Sequence, residues 1–398
     1  MTSEDDLLPP SYTTRLREIA ARGLHVGDPL VDALPLVKCP GLRTSPARFP
    51  LEPAPAWADW AKVRRGQAAF MRGCGRNFVA LTMALLHGLG IPRFAAVLHH
   101  SGYASSADAA FERYRETGFA VIDFMTHALD DPDSLAVQQL RNVRAMHSFA
   151  RRRAVAARVH PDPASQGVPL SQYDMAEVLL VFSGVAPSVV HREMGVPPLA
   201  ADDRDALCHT WRLIGRWLGI ADEFNPCASL EEMDAMVAEM LALAPARARG
   251  CGASALALQD AALTGLGQYT ALGVEFQLAM LRATCAARGL SSAHVGRQSV
   301  LGMDLLGPFL LRAVGSAPGN WVLTNATLLV RRGWISNPGA QRALLPVLKA
   351  ASRVFDGLVR PLVGAASWIA AAVLARAWLR AVVAVVVGAA AARRVLTM

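Results

Sequence analysis

The chain has 398 residues, 53% of them hydrophobic and 18% charged, which supplies enough apolar material for a large core and excludes disorder for most of its length. Its formal charge of +8 comes from arginines scattered among apolar residues, with one cluster at Arg151-Arg152-Arg153. No finger, helix-turn-helix or basic-zipper pattern accompanies them, so nucleic acid is not an expected partner.

The opening Met1-Thr2-Ser3-Glu4-Asp5-Asp6 is acidic and lacks the basic start and apolar stretch of a secretory signal. Six cysteines without a CxxC pair do not resemble the framework of a small secreted domain and suit a reducing compartment. Both features predict a cytoplasmic protein. Apolar residues recur at three- and four-residue spacing through most of the chain, while alternating runs are scarce, which predicts an all-α fold. Ser11 to Arg22 reads as a first helix, and the proline-rich stretch from Val26 to Pro55 as an extended approach segment. Gln67 to Leu89 reads as one long apolar helix that stops around Gly88, Gly90 and Pro92. Asp108 to Leu129 follows, with Ser105 or Ser106 as candidate cap, and Asp130-Asp131-Pro132-Asp133 breaks it. Leu135 to His160 is the next helix. Ser171 and Asp174 then have the spacing of an N-cap and its acidic N3 partner, opening a helix through Met175 to Phe182. Pro198 to Leu218 ends near Gly219, and from Leu230 the helical pattern runs on with glycine-rich interruptions.

Near the C-terminus two apolar stretches, Pro361 to Ala375 and Ala381 to Ala392, are each shorter than the roughly 20 residues a spanning helix needs. Arg376 and Arg380 lie between them on one helical face. This predicts a buried core helix or one lying on a membrane, with peripheral contact through 361–392, ahead of a helix that crosses. The chain thus divides into residues 1–60, an N-terminal helix and extended segment; 61–350, a helical domain; and 351–398, an apolar helical tail.

For chemistry, the sequence lacks HExxH, HxxEH and paired ExxH motifs, a GxGxxG after a strand, GxxxxGK[ST] and a GxSxG elbow, which sets aside zinc, di-iron, nucleotide and acyl-hydrolase readings. Of the ten histidines, His87 and His209 sit in apolar helices and read as core or surface residues. His99 and His100 sit in a short apolar segment where lining a pocket is the most they suggest. His147 differs through its neighbours: Arg144, His147 and Arg151 form one stripe on a helix. Such a stripe suits haem, with an imidazole on the iron and cations for the propionates, and it equally suits a basic solvated face. Arg113 and Thr117, four residues apart upstream, could offer hydrogen-bond donors near dioxygen across a flat cofactor, or could be a solvated arginine and a threonine bonded within its own helix.

The ordered set of segments is more specific than any one of them. Gly27-Asp28-Pro29-Leu30-Val31-Asp32 precedes Arg113-x-x-x-Thr117 and Arg141-x-x-Arg144-x-x-His147-x-x-x-Arg151. Ser171-Gln172-x-Asp174-Met175, Phe182 and Trp211-Arg212-x-Ile214-Gly215-x-x-Leu218-Gly219-Ile220 follow. In order and spacing this set resembles the latex-clearing-protein rubber oxygenases and the related fungal oxygenase of mycophenolic acid biosynthesis. The resemblance covers about residues 20 to 225. It implies a globin-like helical core with additional helices holding haem b, with His147 as the iron ligand. It also implies Arg144 and Arg151 as the flanking basic residues and Arg113 and Thr117 on the distal side. The activity implied is oxygenation or oxidative cleavage of an unsaturated hydrophobic chain with dioxygen.

Rubber-cleaving members carry a lysine just before the threonine, where this chain has Glu116. Their carboxylate base falls in the segment matching Ala95 to His100, which holds no acid. Glu116 is then the candidate replacement for that base, set against an ordinary ion pair with Arg113 three residues away. A small isoprenoid, lipid or secondary metabolite is the expected substrate in place of rubber. Two alternatives stand beside it: a haem-binding sensor or carrier without turnover, and a membrane-associated interaction protein using the apolar tail.

Overall fold

Helical spacing throughout the sequence is answered by helices throughout the structure. The computed structural model describes residues 22–23, 51–102, 106–161, 167–249, 252–269, 273–290 and 303–336, and among them every regular element is helical. The all-α class read from the sequence therefore holds. Most of the first predicted helix, most of the extended segment and both C-terminal apolar stretches lie outside the described residues.

In chain order the elements are α1 Trp60–Arg72, α2 Cys74–Gly88, α3 Pro92–Ser101, α4 Ala107–Thr126 and α5 Leu135–Ala156. Then come α6 Gln172–Leu180 with its continuation Val181–Val190 and last turn His191–Glu193, α7 Ala201–Trp217 and α8 Leu230–Arg249. The set closes with α9 Ala253–Tyr269, α10 Val274–Ala287, α11 Met303–Gly315 and α12 Ala317–Ser336.

The caps at Ser106 and Ser171 form as read, and Ser134 adds one that the sequence reading did not mark. Ser106 accepts from the Ala109 N–H at the start of α4, and Ser134 accepts from Val137 at the start of α5. Ser171 and Asp174 form a reciprocal capping box at the start of α6, which satisfies two of the donors a helix start leaves open.

The long helix expected over Gln67 to Leu89 is instead two, broken at Gly73. Asn77 Nδ2 donates to the Phe70 carbonyl at 2.7 Å, filling one of the acceptor positions the break leaves open. The second helix is held by α12, where Gly75 and Arg76 N–H groups donate to Thr324 Oγ1 and Asn320 Oδ1. A Cβ at Gly75 would collide with Leu323 and the backbone of Thr324. Pro92 takes the first position of α3, bent 100° from α2; a proline is tolerated there because that N–H has no helical partner.

A second departure lies after α6. Val181–Val190 is wound as a π-helix containing Pro187, so a single 22-residue rod runs from Gln172 to Glu193. By length and composition it could cross a membrane, but two-thirds of its apolar window (67%) is buried by neighbouring helices. Here it is a core helix.

Packing places α5 between α4 and the lower end of α7. α1 lies antiparallel on α7, where a Cβ at Gly66 would overlap Thr210 Oγ1 and the Ala206 carbonyl. Lys62, Arg65 and Arg72 meet Asp205, Asp202 and Asp203 on the opposing face, and Asp202 and Asp203 also favour the positive end of α7. Gln67 reaches across to donate to the Phe124 and His127 carbonyls, closing the end of α4. α4 is fastened again from the far side. Arg331 of α12 makes a two-pronged bond to Asp123, 2.7 Å to each oxygen, with its guanidinium 4.9 Å from the centre of the Phe119 ring.

Candidate active site around His147

Three helices supply the site. From the face of α5 come His147, Ser148 and Arg151, from the start of α6 Gln172 and Met175 with Leu170 just ahead, and from the end of α7 Leu218 and Gly219; together they line one pocket. The stripe expected on α5 therefore faces inward at His147 and Arg151, and the solvated-face alternative does not hold for them. Arg151 is buried at 8% exposure.

The walls are set by local sequence. Gly219, at φ +104, ends α7: Ile220 N–H reaches the Gly215 carbonyl and Gly219 N–H the Arg216 carbonyl, both at 3.0 Å. These paired bonds are the glycine-terminated helix end that needs a left-handed residue. Leu170 also has a positive φ, +53, unusual for a bulky side chain, and it leads straight into the Ser171 capping box. Gln172 ties the two walls together, donating to the Gly219 carbonyl and accepting from Ala221 N–H, both at 2.8 Å. Beneath α6, Arg93 bridges Asp174 and Glu177, each at 2.5 Å. His160 bridges further, its ring nitrogens lying 3.2 Å and 3.3 Å from the Gly167 and Arg93 carbonyls.

His147 is held neutral. Its ring is half-buried overall, but Nδ1 is enclosed and meets no hydrogen-bond partner. Burial, reinforced by the charge of Arg113, pushes its pKa down to about 3. At neutral pH such an imidazole keeps a lone pair with no proton competing for it, which is what a metal ligand requires.

The other predicted residues are placed as follows. Arg113 and Thr117 lie on α4, and Arg113 Nη1 rests on Met146 Sδ at 2.8 Å, immediately before His147. Thr117 Oγ1 donates to the Arg113 carbonyl at 3.0 Å. Glu116 on the same helix is exposed. Arg144 is not a lining residue of the pocket. Its guanidinium, 1% exposed, donates to the Trp217 carbonyl and lies 3.8 Å from Glu52, so it docks α5 onto the end of α7. Two lining residues, Ser148 and Leu170, were not singled out from the sequence. Ser148 adjoins His147, and its neighbours in sequence carry no signal that its hydroxyl would stay unbonded. His87 and His209 are partnered as expected, by Thr284 Oγ1 and by the Asp59 N–H.

Among the described residues, an all-helical fold thus sets a neutral histidine and a buried arginine into one pocket of helix ends. The chain belongs to the family described as ER-bound oxygenase mpaB/B'/rubber oxygenase, catalytic domain, which matches residues 60–396. No curated protein sequence matches the chain. Among solved structures, that of latex clearing protein LCP in the closed state is similar over 87% of this chain and 80% of that one, at 18% identity and a TM-score of 0.47.

Proposed function

We propose that this oxygenase uses haem b, bound through His147, to act with dioxygen on an unsaturated hydrophobic small molecule, with C=C cleavage as the outcome. The observation that carries this reading is a neutral His147, its Nδ1 enclosed without a hydrogen-bond partner, lining one pocket with Arg151. One imidazole suits a metal that brings its remaining ligands in a macrocycle, and a nearby guanidinium suits the propionates at its edge. When bound, haem supplies dioxygen binding and activation.

The chain's own residues have narrower tasks. Arg113 keeps a positive charge beside His147, which adds to burial in holding the imidazole unprotonated, and gives a donor for a polarised oxygen. Thr117 has committed its proton to the Arg113 carbonyl, so what it offers outward is acceptor lone pairs. Leu170, Met175 and Leu218 give the pocket apolar walls that exclude water and accept a hydrocarbon. Arg144 holds α5 in register with α7 and keeps His147 and Arg151 on the pocket face. Glu116, being exposed, suits proton exchange with solvent.

The same reading takes the haem domain as 61–350, with the chain in the cytoplasm and its 361–392 segment resting on a membrane surface that concentrates an apolar substrate. The deciding experiment is an absorption spectrum of protein purified from haem-supplemented cells beside that of His147→Ala. A Soret band in the native protein alone supports the assignment. A native protein that stays colourless on reconstitution with haem defeats it and leaves the cofactor reading without support.

A further inference from the structure

Several helical serines and threonines among the described residues spend their hydroxyls on the preceding turn. Thr82, Thr117, Thr126, Ser183, Ser188 and Thr210 each donate to the carbonyl four residues back, as the geometry of a helix invites. Ser148 does not. It is 2% exposed, its Oγ is enclosed with no hydrogen-bond partner, and it lines the pocket beside His147. An enclosed hydroxyl that bonds nothing in the fold is stabilised only by an occupant of the pocket.

The neighbours decide what that occupant presents. A serine hydroxyl both donates and accepts, so it does not choose a partner by itself. Arg151, three residues along and on the same face, brings a buried positive charge to the same lining, and no acidic residue is among the described lining residues. Gln172, the remaining polar side chain there, has both its amide groups committed to Gly219 and Ala221. The free donor beside a fixed cation selects an anion with a hydrogen-bonding oxygen, and a planar carboxylate matches a guanidinium and a hydroxyl together.

We propose that Ser148 Oγ–H and the Arg151 guanidinium form a carboxylate-binding subsite beside His147. The subsite takes either a haem propionate or the acid head of the substrate. The proposal rests on the reading of this pocket as the ligand site, and it adds Ser148 as the residue that positions the ligand's carboxylate.

The test compares native protein with Ser148→Ala against two acid and ester pairs: haem b with its dimethyl ester, read by absorbance, and lauric acid with its methyl ester, read by calorimetry. Loss of a hydrogen bond to a charged group corresponds to binding weaker by roughly ten- to a hundred-fold. The expected result is that loss for one acid, with its ester unaffected. Loss on haem b assigns the carboxylate to the propionate, and loss on lauric acid assigns it to the substrate. Ser148→Ala should also melt no lower than the native protein without ligand, because its hydroxyl is bonded to nothing in the fold. Native affinity for both acids in the variant overturns the proposal, as does equal loss for acid and ester, or a lower melting point of the ligand-free variant. A native protein that takes up no haem fails the haem reading alone, since the lauric acid pair still decides; if lauric acid does not bind that protein either, the subsite is refuted.

Discussion

Replacing Arg331 by methionine strands the carboxylate of Asp123, a side chain 1% exposed whose two oxygens are both bonded to that guanidinium. Breaking a buried pair from one side costs about 3–5 kcal/mol, because the remaining charge is left without solvent or partner. Arg331 keeps 10% of its side chain exposed, so water reaches the edge of the pair and places the expectation near the lower end, about 3 kcal/mol. Asp123→Asn retains an acceptor for Arg331 and leaves its guanidinium on the Phe119 face, so its cost should be smaller, about 1–2 kcal/mol. The double variant Asp123→Leu with Arg331→Met removes both charges, and it should recover most of the loss of Arg331→Met. Urea unfolding of the native protein, Asp123→Leu, Arg331→Met and the double variant closes the cycle, with Asp123→Asn measured beside them. A loss below about 1 kcal/mol for Arg331→Met, or a double variant worse than the sum of its parts, would refute the view that this is a desolvated pair fastening α12 to the helix of Arg113 and Thr117.

Acid sensitivity should come in part from His191, whose pKa is pushed down to about 4 by burial and then by the charge of Arg76. The unfolded chain takes up its proton near the ordinary value of about 6.5. Stability is therefore complete above that pH and falls as pH drops toward about 4, by up to about 1.4 kcal/mol per unit. His191→Phe should flatten this part of the stability curve; an unchanged slope would show that His191 titrates normally. Gly66→Ala should destabilise by about 1–3 kcal/mol, because its methyl group meets the backbone of α7 at Ala206 and overpacked contacts cost that much. A thermal midpoint equal to the native one would contradict the packing described for α1. Leu170→Gly relieves a left-handed strain of roughly 1–2 kcal/mol while giving up a half-buried apolar side chain of similar worth. Stability should move by less than about 1 kcal/mol while binding of lauric acid methyl ester weakens, and unchanged ester binding would remove Leu170 from the pocket wall.

The parts of the fold legible in the sequence were those written in neighbouring residues. Ser106 and Ser171 announce helix starts through a side chain that bonds three residues ahead, and the structure uses both. The break at Gly73 was not legible, because Cys74 to Leu86 continues the apolar rhythm and the second helix is held by α12, about 250 positions away in sequence. The π-helical winding of Val181–Val190 escaped for a related reason: a run of almost uniformly apolar residues carries no period to reveal it. At the site, the spacing of His147 and Arg151 placed them on one face, and the pocket bears that out. The third member of the stripe, Arg144, turns instead to the Trp217 carbonyl, 73 residues later. A helical wheel gives the face of a residue, but the reach of a long arginine side chain depends on what the rest of the chain brings near it.

The doubly bonded Gln172 amide has a mechanical consequence. With the starting turn of α6 and the closing turn of α7 pinned to one side chain at 2.8 Å on both ends, these two walls form a single fixed jaw. The opposing jaw is α5, joined to that body through the Arg144 contact at 3.4 Å to Trp217. A bulky guest therefore meets the α6 and α7 ends as one surface, facing an α5 that Arg144 keeps in register with it.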